Sequence, residues 1–261
     1  MQRLSGKTAL VTGAGSGIGK ATALVLAREG ANVAVLSRTK EEIDAVAAEI
    51  EKAGGKAISI PGDTSKDEDM AGVVAKVVET FGSLDIVVAN AGINGVWAPI
   101  EDLKPEEWDQ TIAVNLRGTY LTIHHAVPKL EAAGGGAIVI VSSINGTRAF
   151  GTPGASAYST TKAGQVALAQ QLALELGPRK IRVNAVCPGA IESEISDNTK
   201  QRGTEKTEIP VEFPEGDIPI TGGKPGKAED VADAILFLVS EESKHITGTP
   251  LWIDGGQGLL R

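Results

Sequence analysis

Tyr158 and Lys162 stand four residues apart in Ala157-Tyr158-Ser159-Thr160-Thr161-Lys162-Ala163, at the head of an alanine-rich helical run. At that spacing the two side chains share one helix face. A phenol of ordinary pKa, about 10, is a poor proton-transfer group near neutral pH unless a nearby cation favours its phenolate. Lys162 is placed to be that cation. Taken alone, the pair is also what a surface Tyr and Lys one turn apart would look like, so the elements that position it have to decide.

The first of those elements is a short apolar run, Thr8-Ala9-Leu10-Val11-Thr12, which stops at Gly13-Ala14-Gly15-Ser16-Gly17-Ile18-Gly19 and resumes as a helical pattern from Lys20 to Glu29. Strand, glycine loop and helix in that order make a phosphate site. Glycines let the backbone approach a pyrophosphate, and the free N–H groups at the positive end of the helix attract it. The spacing here is Gly13-x-x-x-Gly17-x-Gly19, with Ile18 where the commoner dinucleotide motif has its last glycine.

The alternation then continues with a strand at 32–37, a helix at 40–53, a strand at 57–60 running into Pro61-Gly62-Asp63, a helix at 66–80 and a strand at 86–89 before Asn90-Ala91-Gly92. Pro105 to Trp108 opens a helix expected to run, with a break, through Asn115 towards His125. Strands follow at 137–141, ending in Ser142-Ser143, and at 181–187, ending at Pro188-Gly189. The Tyr158 helix lies between them, and a last helix (230–240) and strand (251–256) close the chain. Near-continuous β-branched runs between amphipathic helices predict an α/β fold, a doubly wound parallel sheet covered on both faces. In such sheets ligands bind beyond the carboxyl ends of the strands, which puts Gly13, Asn90 and Ser143 on one rim. From Glu192 to Lys227 the pattern dissolves into charges, Pro and Gly with a few apolar residues (Ile209, Val211, Phe213, Ile218). A long irregular segment on the ligand rim reads as a substrate lid.

Composition narrows the classes. The 261 residues, 42% hydrophobic and 22% charged, suit one domain with a substantial core, and 32 glycines with only 3% aromatics suit tight turns in an α/β protein rather than a β-sandwich. A net charge of −8 argues against nucleic-acid or anionic-membrane partners. Cys187 is the only cysteine, which excludes an intrachain disulfide and a cysteine-based zinc cluster and suits a reducing cytoplasm. Ala9-Leu10-Val11 is too short for a signal peptide or a membrane span. His124 and His125 are adjacent on a helix, about 100° apart, and do not make a metal-binding face; no metal is expected.

Together the motifs resemble the short-chain dehydrogenase/reductase family over almost the whole chain, from Lys7 to about Gly256. The loop Thr12 to Gly19 is similar to its cofactor loop, Asn90-Ala91-Gly92 to its sheet-stabilising turn, and Tyr158-x-x-x-Lys162 to its active-site pair. The resemblance implies a single Rossmann domain that moves hydride between a nicotinamide cofactor and an alcohol or ketone. Tyr158 is then the proton-transfer group, Lys162 holds the nicotinamide ribose and lowers the Tyr158 pKa, Ser143 hydrogen-bonds the substrate oxygen, and Asn115 holds a proton-relaying water. The interval from Ser143 to Tyr158 is longer than the family's commonest one, so Ser142 and Asn145 stay open as substitutes. Pro188, Gly189 and Ile191, with Ser193, resemble the turn that holds the nicotinamide amide. The cofactor set is completed by Gly13, Ser16, Gly17, Ile18, Gly19, Ser37, Arg38, Asp63, Asn90, Ala91 and Gly92.

The second strand ends in Ser37-Arg38 where an acidic residue normally receives the adenosine ribose. A carboxylate would repel a 2′-phosphate, whereas Arg38 can pair with it, so NADP(H) is favoured and NAD(H) remains possible. The substrate stays open among 3-oxoacyl thioesters, sugars or polyols, and cyclic ketones. The resemblance further implies a homotetramer. A dinucleotide-binding sensor that has lost turnover is the alternative reading of the same fold.

Overall fold

The structure, a computed structural model, describes residues 2–192, 199–209 and 216–260. Ser193, Val211 and Phe213 lie outside the described residues. Seven parallel strands form one sheet: β1 (Thr8–Thr12), β2 (Asn32–Ser37), β3 (Lys56–Pro61), β4 (Ile86–Ala89), β6 (Gly136–Val141), β7 (Ile181–Pro188) and β9 (Pro250–Ile253), in the order β3-β2-β1-β4-β6-β7-β9. Two short strands, β5 (Val96–Trp97) and β8 (Lys200–Gln201), make a second, two-stranded parallel sheet. The helices are α1 (Gly17–Arg28), α2 (Lys40–Lys52), α3 (Asp67–Phe81), α4 (Pro105–Thr111), α5 (Gly118–Ala132), α6 (Ser156–Leu176) and α7 (Ala228–Val239).

Alternation along the strands divides the core. Ala9, Val11, Val33, Val35 and Val88 pack under α1, α2 and α7, while Leu10, Ala34, Leu36, Val87 and Ile138 pack under α3, α5 and α6. Each fully buried Val, Leu or Ile of this kind contributes about 1.5–3 kcal/mol relative to exposure. Two buried faces explain why the strands read as continuous apolar runs.

Register aligns the strand ends. Thr12 pairs with Leu36, Ala89 with Ile140, Val141 with Val186, and Pro188 with Ile253. The segments that follow β1, β2, β4, β6 and β7 therefore leave the sheet on one rim. The winding reverses between β1 and β4, which opens the crevice in which such sheets bind ligands.

The break expected between Pro105 and His125 is a π-helical turn, Ile112–Arg117, that joins α4 to α5 and contains Asn115. Sequence reading did not find β5 and β8. Each is two residues long and held by pairing with a distant partner, a contact that local pattern does not carry.

Candidate active site

The glycine loop works by close approach. Gly13 has φ 64°, and a Cβ on it would stand 2.9 Å from Ala91 Cα; a Cβ on Gly19 would overlap the carbonyl of Gly13. Thr12 and Asn90 stitch the two sides of the crevice. The Thr12 hydroxyl accepts the N–H groups of Asn90 and Ala91, both at 3.0 Å, and Asn90 Nδ2 donates to the carbonyls of Thr12 (2.9 Å) and Gly13 (3.1 Å). Ser16 is the N-cap of α1, and its side chain caps no N–H. The first-turn amides therefore keep their capacity to bind an anion.

At the far end of the crevice, the Ser37 hydroxyl is engaged locally, donating to the Thr39 carbonyl (3.1 Å) and accepting the Thr39 N–H (3.2 Å). Arg38 is exposed. Burial pushes the Asp63 carboxyl up, but hydrogen bonds from Ser65 and the charge of Arg38 outweigh it and hold its pKa below the usual value. Glu42, on the first turn of α2, also faces this end: a Cβ on Gly15 would stand 2.9 Å from Glu42 Cβ. Sequence reasoning missed Glu42, because nothing local distinguishes it from a solvated first-turn acid.

At the other end Tyr158, Lys162, Ser143 and Asn115 converge, all of them buried. Lys162 Nζ donates to the Val141 carbonyl (2.9 Å) and sits 5.4 Å from the centre of the Tyr158 ring. Trp97 packs against that ring at a centroid distance of 6.5 Å. Burial pushes the Tyr158 pKa up, opposed by the side chain of Ser143, and burial pulls Lys162 down to about 8. The expected lowering of the Tyr158 pKa by Lys162 is therefore not found. Lys162 spends a hydrogen bond on Val141, and desolvation dominates both groups.

The two substitutes for Ser143 are engaged elsewhere. Ser142 donates to the Lys162 carbonyl (2.7 Å), and Asn145 accepts a hydrogen bond from Thr152 (3.0 Å). Ser143 faces the phenol. Asn115 uses its carboxamide to read the backbone of Ile93 in both directions, accepting its N–H (2.8 Å) and donating to its carbonyl (2.9 Å), with a third bond to Thr161 (3.2 Å). Its own carbonyl accepts from Gln165 and Thr119. A Cβ on Gly92 would stand 3.3 Å from Asn115 Oδ1 and 3.7 Å from Lys162 Nζ, so the two groups border one small space.

A single cavity of about 1070 Å³ runs past these groups. Ser37, Arg38 and Asp63 border one end, Gly13 and Ser16 to Ile18 the middle with Asn90 to Gly92, and Ser143, Tyr158, Lys162, Pro188, Gly189 and Ile191 the other. Of the residues expected from sequence, Gly19 lies beneath the loop and Asn115 behind the wall; Ser193 cannot be placed. A large cavity, a glycine cradle closed to any Cβ, a cation at one end and a buried phenol beside a lysine at the other fit a nicotinamide dinucleotide. Among the described residues no group of side chains could hold a metal ion.

Comparison with known proteins agrees. A family model described as enoyl-(acyl carrier protein) reductase matches residues 13–257. The 3-oxoacyl-(acyl-carrier-protein) reductase of Thermotoga maritima is 41% identical over 256 residues, 97% of this chain and 98% of that protein. The crystal structure of a 3-ketoacyl-ACP reductase from Sinorhizobium meliloti superimposes with TM-score 0.95 at 66% identity, covering 97% of this chain and all of that one. A Brucella melitensis 3-ketoacyl-(acyl-carrier-protein) reductase complexed with NADH (36% identity, TM-score 0.86) covers 98% of this chain and 99% of its own. A Burkholderia cenocepacia short-chain dehydrogenase in complex with NADP (37%, 0.85) has the same coverage. The chain belongs to the short-chain dehydrogenase/reductase family, NAD(P)-dependent oxidoreductases that act on CH–OH and C=O groups.

Proposed function

We propose that the protein reduces the ketone of a 3-oxoacyl thioester, with NADP(H) favoured over NAD(H). The observation that carries this reading is the convergence of Tyr158, Lys162 and Ser143 at one end of a cavity of about 1070 Å³ whose other end presents Arg38. Held by Lys162 and the Pro188–Ile191 turn, a nicotinamide cofactor would supply the hydride that the carbonyl carbon accepts. Ser143 hydrogen-bonds the carbonyl oxygen and orients it. Tyr158, kept protonated by burial, gives its phenolic proton to that oxygen as the negative charge develops, which completes the alcohol. Lys162 holds the nicotinamide ribose and places a positive charge beside the phenolate that remains. Asn115 supports Lys162 across the small space at Gly92, where a relayed proton can return to Tyr158.

Two features favour an acyl substrate. The names of the relatives above are those of acyl-carrier-protein reductases. Beside the catalytic end, with Thr152 in both walls, lies a second cavity of about 610 Å³ lined by Ala98, Ile100, Phe150 and Ile209 among others, which suits a carbon chain better than a sugar. We also propose that the chain acts as one NAD(P)-binding domain, 1–261, with 192–227 closing over the substrate, and that it works in the cytoplasm as a homotetramer. The outer faces of α5 and α6, where Tyr120 and Leu174 are exposed, suit self-association. No helix among the described residues is long and apolar enough to cross a membrane.

The experiment is a chain-length series of 3-oxoacyl thioesters assayed beside cyclic ketones and sugars by cofactor absorbance. The expected result is a kcat/KM that rises with chain length by about tenfold or more per added pair of methylenes, near the transfer free energy of about 0.8 kcal/mol per buried CH₂, and exceeds that of the sugars and cyclic ketones. Equal or higher values for a sugar or a cyclic ketone would refute the substrate assignment.

A further inference from the structure

After β9 the chain turns through Asp254-Gly255-Gly256 and brings Gln257 back against the turn that follows β7. Gln257 is 5% exposed and borders the long cavity, and its Oε1 accepts the N–H of Ala190 at 2.9 Å. The neighbouring Gly189 has no slack. A Cβ there would stand 2.7 Å from Gln257 Oε1 and 2.8 Å from Asp254 Cβ, and the Gly189 N–H is already bonded to Ile253 (3.0 Å). On the other side of Ala190, its carbonyl accepts the N–H of Gly226 at 3.0 Å.

The support is itself braced. Asp254 accepts the N–H groups of Gly256 and Gly258, both at 3.0 Å. Arg148 lies 3.8 Å over the Trp252 ring and 3.9 Å from the Asp254 carboxylate, while Trp252 Nε1 donates to Thr147 (3.2 Å). The C-terminal segment thus joins the loop after Ser143 to the turn after β7. Among the described residues, Gln257 is the one side chain of this segment that supplies an acceptor to that turn's backbone. A buried N–H that lost this acceptor would reorient to find another.

We propose that Gln257 is a positioning residue for the nicotinamide end of the dinucleotide: by holding the Ala190 peptide it fixes the face that Pro188–Ile191 turns towards Tyr158 and Lys162. This rests on reading that turn as the one that holds the nicotinamide amide. The effect is local. Loss of the Gln257 oxygen misplaces the nicotinamide end and leaves the adenosine end, at Ser37 and Arg38, as it was.

Titration calorimetry with two probes separates these ends: NADPH, and 2′-phospho-ADP-ribose, which lacks the nicotinamide. Gln257→Leu is expected to weaken NADPH binding about three- to tenfold, the worth of one hydrogen bond, with the fragment unchanged. Gln257→Glu, which keeps an oxygen for the Ala190 N–H, is expected to recover NADPH affinity to within about twofold, on the same hydrogen-bond scale. The proposal is overturned if Gln257→Leu binds NADPH as the wild type does, if it weakens both probes equally, or if Gln257→Glu is no better than Gln257→Leu. A wild-type protein that binds both probes equally would overturn the reading of the turn itself, and the proposal with it, so the two failures are distinguishable.

Discussion

Burial separates the two groups that share one face of α6. It keeps the Tyr158 phenol protonated through the neutral range and brings Lys162 down to about 8. If the Lys162 ammonium serves catalysis, kcat/KM for reduction is level below pH 8 and falls about tenfold per unit above it, because the free enzyme loses that proton there. A profile flat to pH 10 would remove Lys162 from the chemistry. The same shift acts on stability with a definite sign. The unfolded chain keeps the lysine proton up to the ordinary range near 10.5, so between about 8 and that value it binds more protons, and the Lys162 contribution to stability rises with pH. At the adenosine end, the Asp63 carboxyl feels the charge of Arg38, and Glu42 lines the same cavity. Arg38→Ala is expected to weaken NADP(H) about tenfold or more and to leave NAD(H) nearly unchanged, and Glu42→Gln to strengthen NADP(H) a few-fold by removing a repulsion. Equilibrium binding of both dinucleotides checks this; an Arg38→Ala protein that loses both equally would contradict the assignment.

The main sheet was legible as elements because each strand and helix carries its own period, and the ends of β1 and β2 fall on the residues expected. What sequence could not show was side-chain reach between elements. Glu42 and Gln257 enter the site from α2 and the C-terminal turn without any local signature, and the orientation of Lys162 towards Val141 depends on how α6 docks on β6. The segment after β7 shows the same limit. Its ends are clasped where Glu192 N–H meets Gly226 (2.9 Å) and Gly226 N–H meets Ala190. Its middle is tied to α4: Arg202 pairs bidentately with Glu107 (2.7 and 3.0 Å) and reaches the Asp102 carbonyl, and Lys206 pairs with Asp102 (3.0 Å). The Arg202 hydrogen bonds hold the Glu107 pKa down at about 2, so the clasp survives mild acid. These pairs are exposed, so each is weak and screened by salt. Arg202→Ala should therefore raise KM for substrate about two- to fivefold with kcat little changed, and high salt should do the same to the wild type. A KM insensitive to both would show that this segment does not help to hold substrate.

Across the whole molecule, one parallel sheet delivers three groups to a single rim: a glycine cradle from β1, Ser143, Tyr158 and Lys162 from the loop and helix after β6, and a turn from β7 braced by the C-terminus. We propose that they act on one substrate through the phenolic proton of Tyr158. Tyr158→Phe keeps the ring beside Trp97 and removes the hydroxyl that carries the proton. Single-turnover reduction of a 3-oxoacyl thioester, with NADPH affinity measured on the same protein, tests the claim most directly. The expected rate is lower by about 10²–10⁴-fold, the usual worth of general acid catalysis, at unchanged NADPH affinity. A variant that keeps more than about a tenth of the wild-type rate, a loss below that range, would contradict it.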